Sequence, residues 1–239
     1  MDVANFKNDH RCEINAFREL ILEWHKTKNR NYFFWRRTRN PYHILIAETM
    51  LQKTTANQVQ SLIKTFLSKF PSIEDLANAS VEDIEAVITP LGMEHKRAVN
   101  YKKMAEIIKK KYGGNVPSSE EELLSLPGVG RYIANSVLCF AFGKDVPILD
   151  TNVLRVLERV FGVKSDKARA RTDKRMWNIV KVIIPPGMAR QINLALLDFG
   201  ALVCTAKKPK HFLCPVSHIC NYYTRTERAN TGKRTALPS

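Results

Sequence analysis

Apolar residues in this chain recur at steps of three and four, and no convincing run alternates apolar with polar as a half-buried strand would. Ile14, Phe17, Ile21 and Trp24 share one helical face over residues 13–26. Val59, Leu62, Ile63 and Phe66 do so over 55–69, and Val153, Leu157 and Val160 within TNVLRVLERVFG. The boundary signals agree with this period. Pro41 opens a helix through Leu51, Ser80 precedes VEDIEAVI with Asp83 three residues on, Ser118 or Ser119 precedes EEELLSL, and Asp150 precedes TNVLRV. Gly113-Gly114 ends a long basic helix over 94–111, and Gly143 ends RYIANSVLCFAFG. Two more helices fit 170–184 and 189–203, while residues 28–41 (KNRNYFFWRRTRNP) read as a basic, aromatic-rich loop. The expected class is all-α with short connections.

The 239 residues suffice for one large or two small cores. Lys and Arg total 38 against 23 Asp and Glu, a formal charge of +15. Such an excess bears on partners, and nucleic acid is the first, because Lys and Arg release counterions from phosphates. An anionic membrane surface is the rival. No apolar run approaches the roughly 18 residues of a spanning helix, and the opening MDVANFKNDHRCE lacks the apolar core of a signal peptide. A cytoplasmic, nucleoid-associated monomer without disulfides is expected. Arg36, Arg37 and Arg39 are interleaved with Tyr32, Phe34 and Trp35 just before the helix at Pro41, and this group suits contact with DNA. Lys102, Lys103, Lys109, Lys110 and Lys111 on one long helix read instead as a solvated face.

The segment Leu126-Pro127-Gly128-Val129-Gly130 separates two helical patterns. Its proline and paired glycines make either an ordinary interhelical turn or a hairpin with backbone amides aimed outward at the start of the next helix, an anion site that a DNA phosphate would fill. Twenty residues past Gly130 stands Asp150. It can cap its helix, and it can also stabilise positive charge on a sugar or orient water. Glu48 has Ile44, Leu45 and Leu51 as helical neighbours, which places it on an apolar stripe. A carboxyl there is either paired internally or poised for chemistry. Of five cysteines, Cys12 is isolated and Cys139 reads as core, while Cys204, Cys214 and Cys220 crowd together, a grouping that points to metal before disulfide.

The stretches WRRTRNPYHILIAETMLQKTTANQV, LGMEHKRA, GGNVPSSEEELLSLPGVGRYIAN, FGKDVPILDTNVLRVLERVFG and INLALLDFGALVC, with the final cysteines, resemble the helix-hairpin-helix DNA glycosylases that include endonuclease III and the MutY-type adenine enzymes. The resemblance runs from about Trp35 to Cys220. It implies a two-domain fold: a six-helix barrel over 40–148 containing the hairpin, and a second domain from residues 1–39 plus 149–239 carrying a metal-cluster loop at 204–220, with DNA between them. It assigns Asp150 as the catalytic aspartate. Bifunctional relatives carry a lysine two residues past the second hairpin glycine, the amine that forms a Schiff base. Tyr132 stands there, which implies a monofunctional enzyme with water as nucleophile. Glu48 falls where the adenine enzymes keep a general acid. Leu91-Gly92-Met93-Glu94 departs from their tyrosine-bearing motif, and no segment is left for their lesion-reading domain.

AETMLQKTTA with LPGVGRYIA is more similar to the Mig-type mismatch-specific thymine glycosylases, which implies mispaired thymine or uracil opposite guanine in double-stranded DNA as substrate. An adenine glycosylase and a non-catalytic helix-hairpin-helix DNA-binding protein are the alternatives. The same resemblance gives Gln52 a wedge role and offers Met93 as a second wedge or plain packing. Leu126, Gly128, Val129, Gly130 and Arg131 form the expected DNA clamp, and Arg36 and Lys208 stand in basic stretches that can reach backbone phosphate. Endonuclease III relatives hold a [4Fe-4S] cluster with four cysteines at intervals of six, two and five. Here Cys204, His211, Cys214 and Cys220 keep that spacing with one imidazole. A Cys3His cluster, a zinc site or a lost metal all fit, and His218 is a spare donor or a surface residue.

Overall fold

The computed structural model describes residues 2–226. In chain order the helices are α1 (Val3–Asp9), α2 (Arg11–Thr27), α3 (Phe34–Arg37), α4 (Pro41–Met50), α5 (Ala56–Lys69), α6 (Ile73–Asn78), α7 (Val81–Ile88), α8 (Glu94–Tyr112), α9 (Glu120–Leu124), α10 (Arg131–Phe140), α11 (Thr151–Phe161), α12 (Lys174–Ile183) and α13 (Ala189–Leu202). Four short 3-10 turns accompany them, two of these after α13, residues 221–226 are also helical, and no strand occurs among the described residues. No helix among these residues is long and apolar enough to cross a membrane.

The chain divides into two compact units, one continuous over Arg30–Lys144 and one combining Met1–Asn29 with Asp145–Ser239. Residues 227–239 of the expected second domain lie outside the described part. The continuous unit starts at Arg30, earlier than the expected residue 40, because the aromatic run is packed. Phe33 and Trp35 are buried and stacked 4.8 Å apart, and the Phe34 amide donates to Gln60 Oε1 at 2.8 Å. What read as a loop therefore contains α3.

Within the continuous unit, α6 and α7 pack against α8, and α4 packs against α10. The α8 face is Arg97, Ala98, Tyr101, Met104, Ala105 and Ile108, all buried at helical spacing. Its lysines are not uniformly solvated as expected. Lys102 Nζ donates to the carbonyls of Ala77 (3.1 Å) and Ala79 (2.7 Å), and Lys109 Nζ to Asn78 Oδ1 (2.9 Å). These lysines close the C-terminal end of α6, whose own carbonyls lack intrahelical partners. At its other end, Ser72 and Asp75 form a reciprocal capping box.

In the discontinuous unit, α13 packs against α2 and α11, and α1 against α12. Phe161 receives Phe6 and Phe17 edge-on, with ring centroids at 5.6 and 5.3 Å. The expected helix over 170–184 divides: a 3-10 turn covers Ala170–Thr172, and Asp173 then caps α12 by accepting from the Arg175 amide. The role of Lys102 is measurable. Lys102→Met is expected to lower unfolding free energy by about 1 kcal/mol in urea titration, whereas Lys103→Met, at an exposed position, leaves it unchanged.

Candidate functional site

The hairpin lies wholly in the continuous unit. Leu126 (2% exposed) and Val129 (7%) anchor the loop in the core, and the Val129 amide donates to Leu126 O at 3.1 Å. Gly128 has φ +78°, a left-handed conformation in which a side chain is strained, and Asn100 of α8 backs it. Gly130 caps α10 in an extended conformation without any side-chain hydrogen bond. Arg131 donates from Nε to Glu120 Oε1 at 2.8 Å, which braces α10 against the start of α9. Tyr132 is half-buried one residue on.

Asn40 begins α4 by accepting from the amides of Tyr42 and His43, with Pro41 in the first turn. Glu48 on this helix is 3% exposed. The expected apolar stripe is in fact an apolar surround, since every residue from Ile44 to Met50 is buried. Gln52 follows in an exposed turn and donates from Nε2 to Gly128 O at 2.8 Å, so the wedge candidate is tied to the hairpin. Met93 is 47% exposed, with φ 53°, immediately before α8. Arg97, which sequence reasoning overlooked, is 6% exposed and donates to Gly92 O, Thr49 O, Met50 O, Gln52 O and Thr54 Oγ1. Nothing separates it from the other cations of α8 except its place on that helix's apolar face. Arg36 is half-buried, whereas Arg37 and Arg39 are exposed.

Asp150 belongs to the discontinuous unit. It is the N-cap of α11, and both carboxylate oxygens are engaged: Oδ1 accepts from the Val153 amide at 2.7 Å, and Oδ2 from Asn152 Nδ2 at 2.8 Å. Asn152 Oδ1 in turn accepts from Arg155 Nη2 at 2.7 Å, and Arg155 Nε reaches Cys204 O at 2.8 Å. The approach to Asp150 is fixed by fully buried Asn193, whose Oδ1 accepts from the Ile148 amide (3.0 Å) and whose Nδ2 donates to Val146 O (2.9 Å). Gly200 of α13 lies directly against Asn152. A Cβ there would stand 2.8 Å from the Asn152 Cβ.

Cys204, His211, Cys214 and Cys220 line one small hollow, together with Arg159, Tyr222 and Tyr223. The His211 ring meets Tyr223 edge-on at 4.9 Å. Burial pushes the Cys214 thiol up to about 11, and the neighbouring Cys220 and Cys204 push the same way. Cys220 is also raised, first by burial. Thiols that resist ionisation alone yet crowd together are suited to a cationic centre, which would hold them as thiolates. Among the described residues no three His, Cys, Asp or Glu side chains gather closely enough for a single ion. Arg159 ties this loop to α11, donating to Thr205 O (2.7 Å) and Ala206 O (2.8 Å). Lys208 is exposed beside it.

Comparison with known proteins agrees with this geometry. Residues 46–182 match the HhH-GPD superfamily of base excision DNA repair proteins. The thymine/uracil-DNA glycosylase of Pyrobaculum aerophilum is 44% identical over 219 residues, covering 90% of this chain and 95% of that protein. The solved structure of a thermostable thymine-DNA glycosylase superposes with TM-score 0.85 at 36% identity, over 90% of this chain and 98% of the other. Endonuclease III trapped covalently on DNA superposes at 0.77 and 28%, over 90% and 99%.

The contact at Gly200 gives a test of how tightly the Asp150 surroundings are packed. Gly200→Ala is expected to cost about 1–3 kcal/mol by overpacking, read as a lower urea midpoint. Gly130→Ala, where nothing lies within 4 Å and φ is negative, is expected to change stability by less than about 0.5 kcal/mol.

Proposed function

The chain belongs to the HhH-GPD superfamily of base excision DNA repair proteins, and from that premise we propose that it is a monofunctional glycosylase removing thymine or uracil mispaired with guanine. The observation that carries the chemistry is the rigid carboxylate of Asp150, held by the Val153 amide and the Asn152 side chain. As the glycosidic bond breaks, its electron pair leaves with the base and positive charge spreads over the sugar. Asp150 stabilises that charge and takes the proton of the water that adds to the sugar carbon. Tyr132 offers no amine for a Schiff base, so the sugar is left with a hydroxyl and the strand intact.

The remaining residues divide the binding work. The continuous unit is read as the six-helix barrel of the family. The uncapped start of α10 and the loop from Leu126 through Gly128, Val129 and Gly130 clamp a backbone phosphate. Gln52 and Met93 enter the duplex where the base is extruded, and a mispaired base costs less to extrude than a paired one. Buried Glu48 serves the departing base, which needs less acid assistance than adenine because it leaves as a stabilised anion. Lys208, Arg37 and Arg39 meet phosphate, with Arg131 bracing α10 against α9. Cys204, His211, Cys214 and Cys220 would hold a [4Fe-4S] cluster, which when bound supplies the positive charge and cross-links that order residues 204–220.

Three measurements check this reading. Labelled duplexes bearing G:T, G:U, A:G or A:8-oxoguanine, incubated and then treated with alkali, should break at T and U opposite G. Breaks confined to the adenine pairs would replace the thymine reading with the adenine one, and breaks without alkali would overturn the monofunctional assignment. Asp150→Asn keeps an equally good helix cap, so DNA binding should persist while single-turnover excision falls by about a hundredfold or more. Protein purified without air should be brown, with iron and acid-labile sulfide in equal amounts, and Cys214→Ser should bleach it. Stoichiometric zinc in colourless protein would give the site to zinc.

A further inference from the structure

Among the described residues, two that are not glycine adopt a left-handed backbone: Lys53 (φ 57°) and Met93 (φ 53°). Side chains disfavour this region, and it persists only where the surroundings over-determine it. Both residues stand in loops held by Arg97. Its Nε donates to Gly92 O at 3.0 Å, the residue before Met93. Its Nη2 donates to Gln52 O at 2.5 Å and Thr54 Oγ1 at 2.9 Å, the residues on either side of Lys53. Its Nη1 reaches Thr49 O at 3.2 Å and Met50 O at 3.4 Å, the end of the helix that carries Glu48.

Four carbonyls and a hydroxyl are thus met by one planar fork. Arg97 as a whole is 6% exposed, and the carbonyl end of α4 compensates its charge. A lysine ammonium presents its donors from one point and cannot reach Gly92 O and Gln52 O together. The Gln52 side chain extends the tie to a third loop through Gly128 O. Arg97 itself is too enclosed to serve as a phosphate contact.

We propose that Arg97 is the positioning residue that presets Gln52 and Met93 as a matched pair, so that extrusion of the target base and occupation of its place depend on one buried guanidinium. This rests on the reading of Gln52 and Met93 as the side chains that enter the duplex. Both loops are held at a fixed separation before DNA arrives. The ordering that would otherwise accompany binding is then already done. The strain at Lys53 and Met93 is what Arg97 sustains, and its loss would let both loops relax to ordinary backbone angles.

The test uses the full chain and a G:T duplex carrying 2-aminopurine beside the thymine, whose fluorescence rises when the base is extruded. Arg97→Lys, made in the Asp150→Asn background, should lose most of the fluorescence rise while still binding the duplex. With Asp150 intact, Arg97→Lys should slow single-turnover excision by about tenfold to a hundredfold. Gln52→Ala with Met93→Ala should cause a comparable loss. Adding Arg97→Lys to that pair should cost less than about threefold more, because the residues act as one unit. Circular dichroism reports whether Arg97→Lys folds. Should it not, Thr54→Val removes one acceptor of Arg97, together with the hydroxyl's own donation to Gln52 O at 3.2 Å, and should still reduce both signals severalfold.

If the alanine pair slows excision while Arg97→Lys and Thr54→Val do not, the positioning role is overturned and the wedge reading stands. If the alanine pair changes nothing, the wedge reading fails and takes this proposal with it. Losses that multiply independently also overturn it.

Discussion

Every α-helix leaves its first amides and last carbonyls without partners of its own, and in a chain of short helices these ends are numerous. The side chains that answer them are the ones around which the site is built. Asp150 satisfies an amide of α11, Arg97 meets the carbonyl end of α4, and Arg155 meets Gly200 O near the end of α13 and Cys204 O just beyond it. Gly130 starts α10 with no side-chain cap, as His10, Phe33, Met93 and Met188 start α2, α3, α8 and α13. Structure and function draw on the same unsatisfied groups.

This explains why Asp150 is so well fixed. A carboxylate with both oxygens bonded has little rotational freedom, and its geometry is set before any substrate arrives. Preorganised charge acts on a developing cation without reorganising at the moment of reaction. Asn193 settles the path of the chain into this cap, and Gly200 allows α13 to approach it closely. α11, which Asp150 caps, carries Arg155 and Arg159, which hold the cysteine loop. A single α-helix therefore joins the carboxylate to the cysteine loop, with Asn152 and Arg155 as the hydrogen-bonded links between Asp150 and Cys204 O.

Much of this was legible in the sequence where a local rule sufficed. Asp150 before an apolar-periodic run, Ser80 before VEDIEAVI and Gly113 after a basic helix each announce a boundary by backbone chemistry alone, and each is a cap in the structure. The failures came where tertiary context decided. Glu48 drew notice as a carboxyl on an apolar stripe, yet α4 is enclosed on nearly every side, a property a single helix's pattern does not display. α6 is only six residues long, too short for periodicity to register, although Ser72 and Asp75 marked its start. α3 was concealed in an aromatic run whose packing depends on Gln60, distant in sequence. Arg97 was indistinguishable from the lysines around it until α8 had a buried face.

Arg97 also changes how the charge of +15 is to be understood. Arg18 donates to Val182 O and Ile183 O, Lys144 to Ser118 O, Lys102 to Ala77 O and Ala79 O, and Arg155 and Arg159 to the carbonyls around Cys204. These cations keep their charge and add to the positive field that draws a polyanion in. Their hydrogen bonds are nevertheless spoken for by backbone carbonyls, most of them at helix ends, whereas Arg37, Arg39 and Lys208 are exposed. Net charge points to the right partner through the long-range field. It overstates the contact surface, because an all-helical fold recruits many of its arginines and lysines to close its own carbonyls.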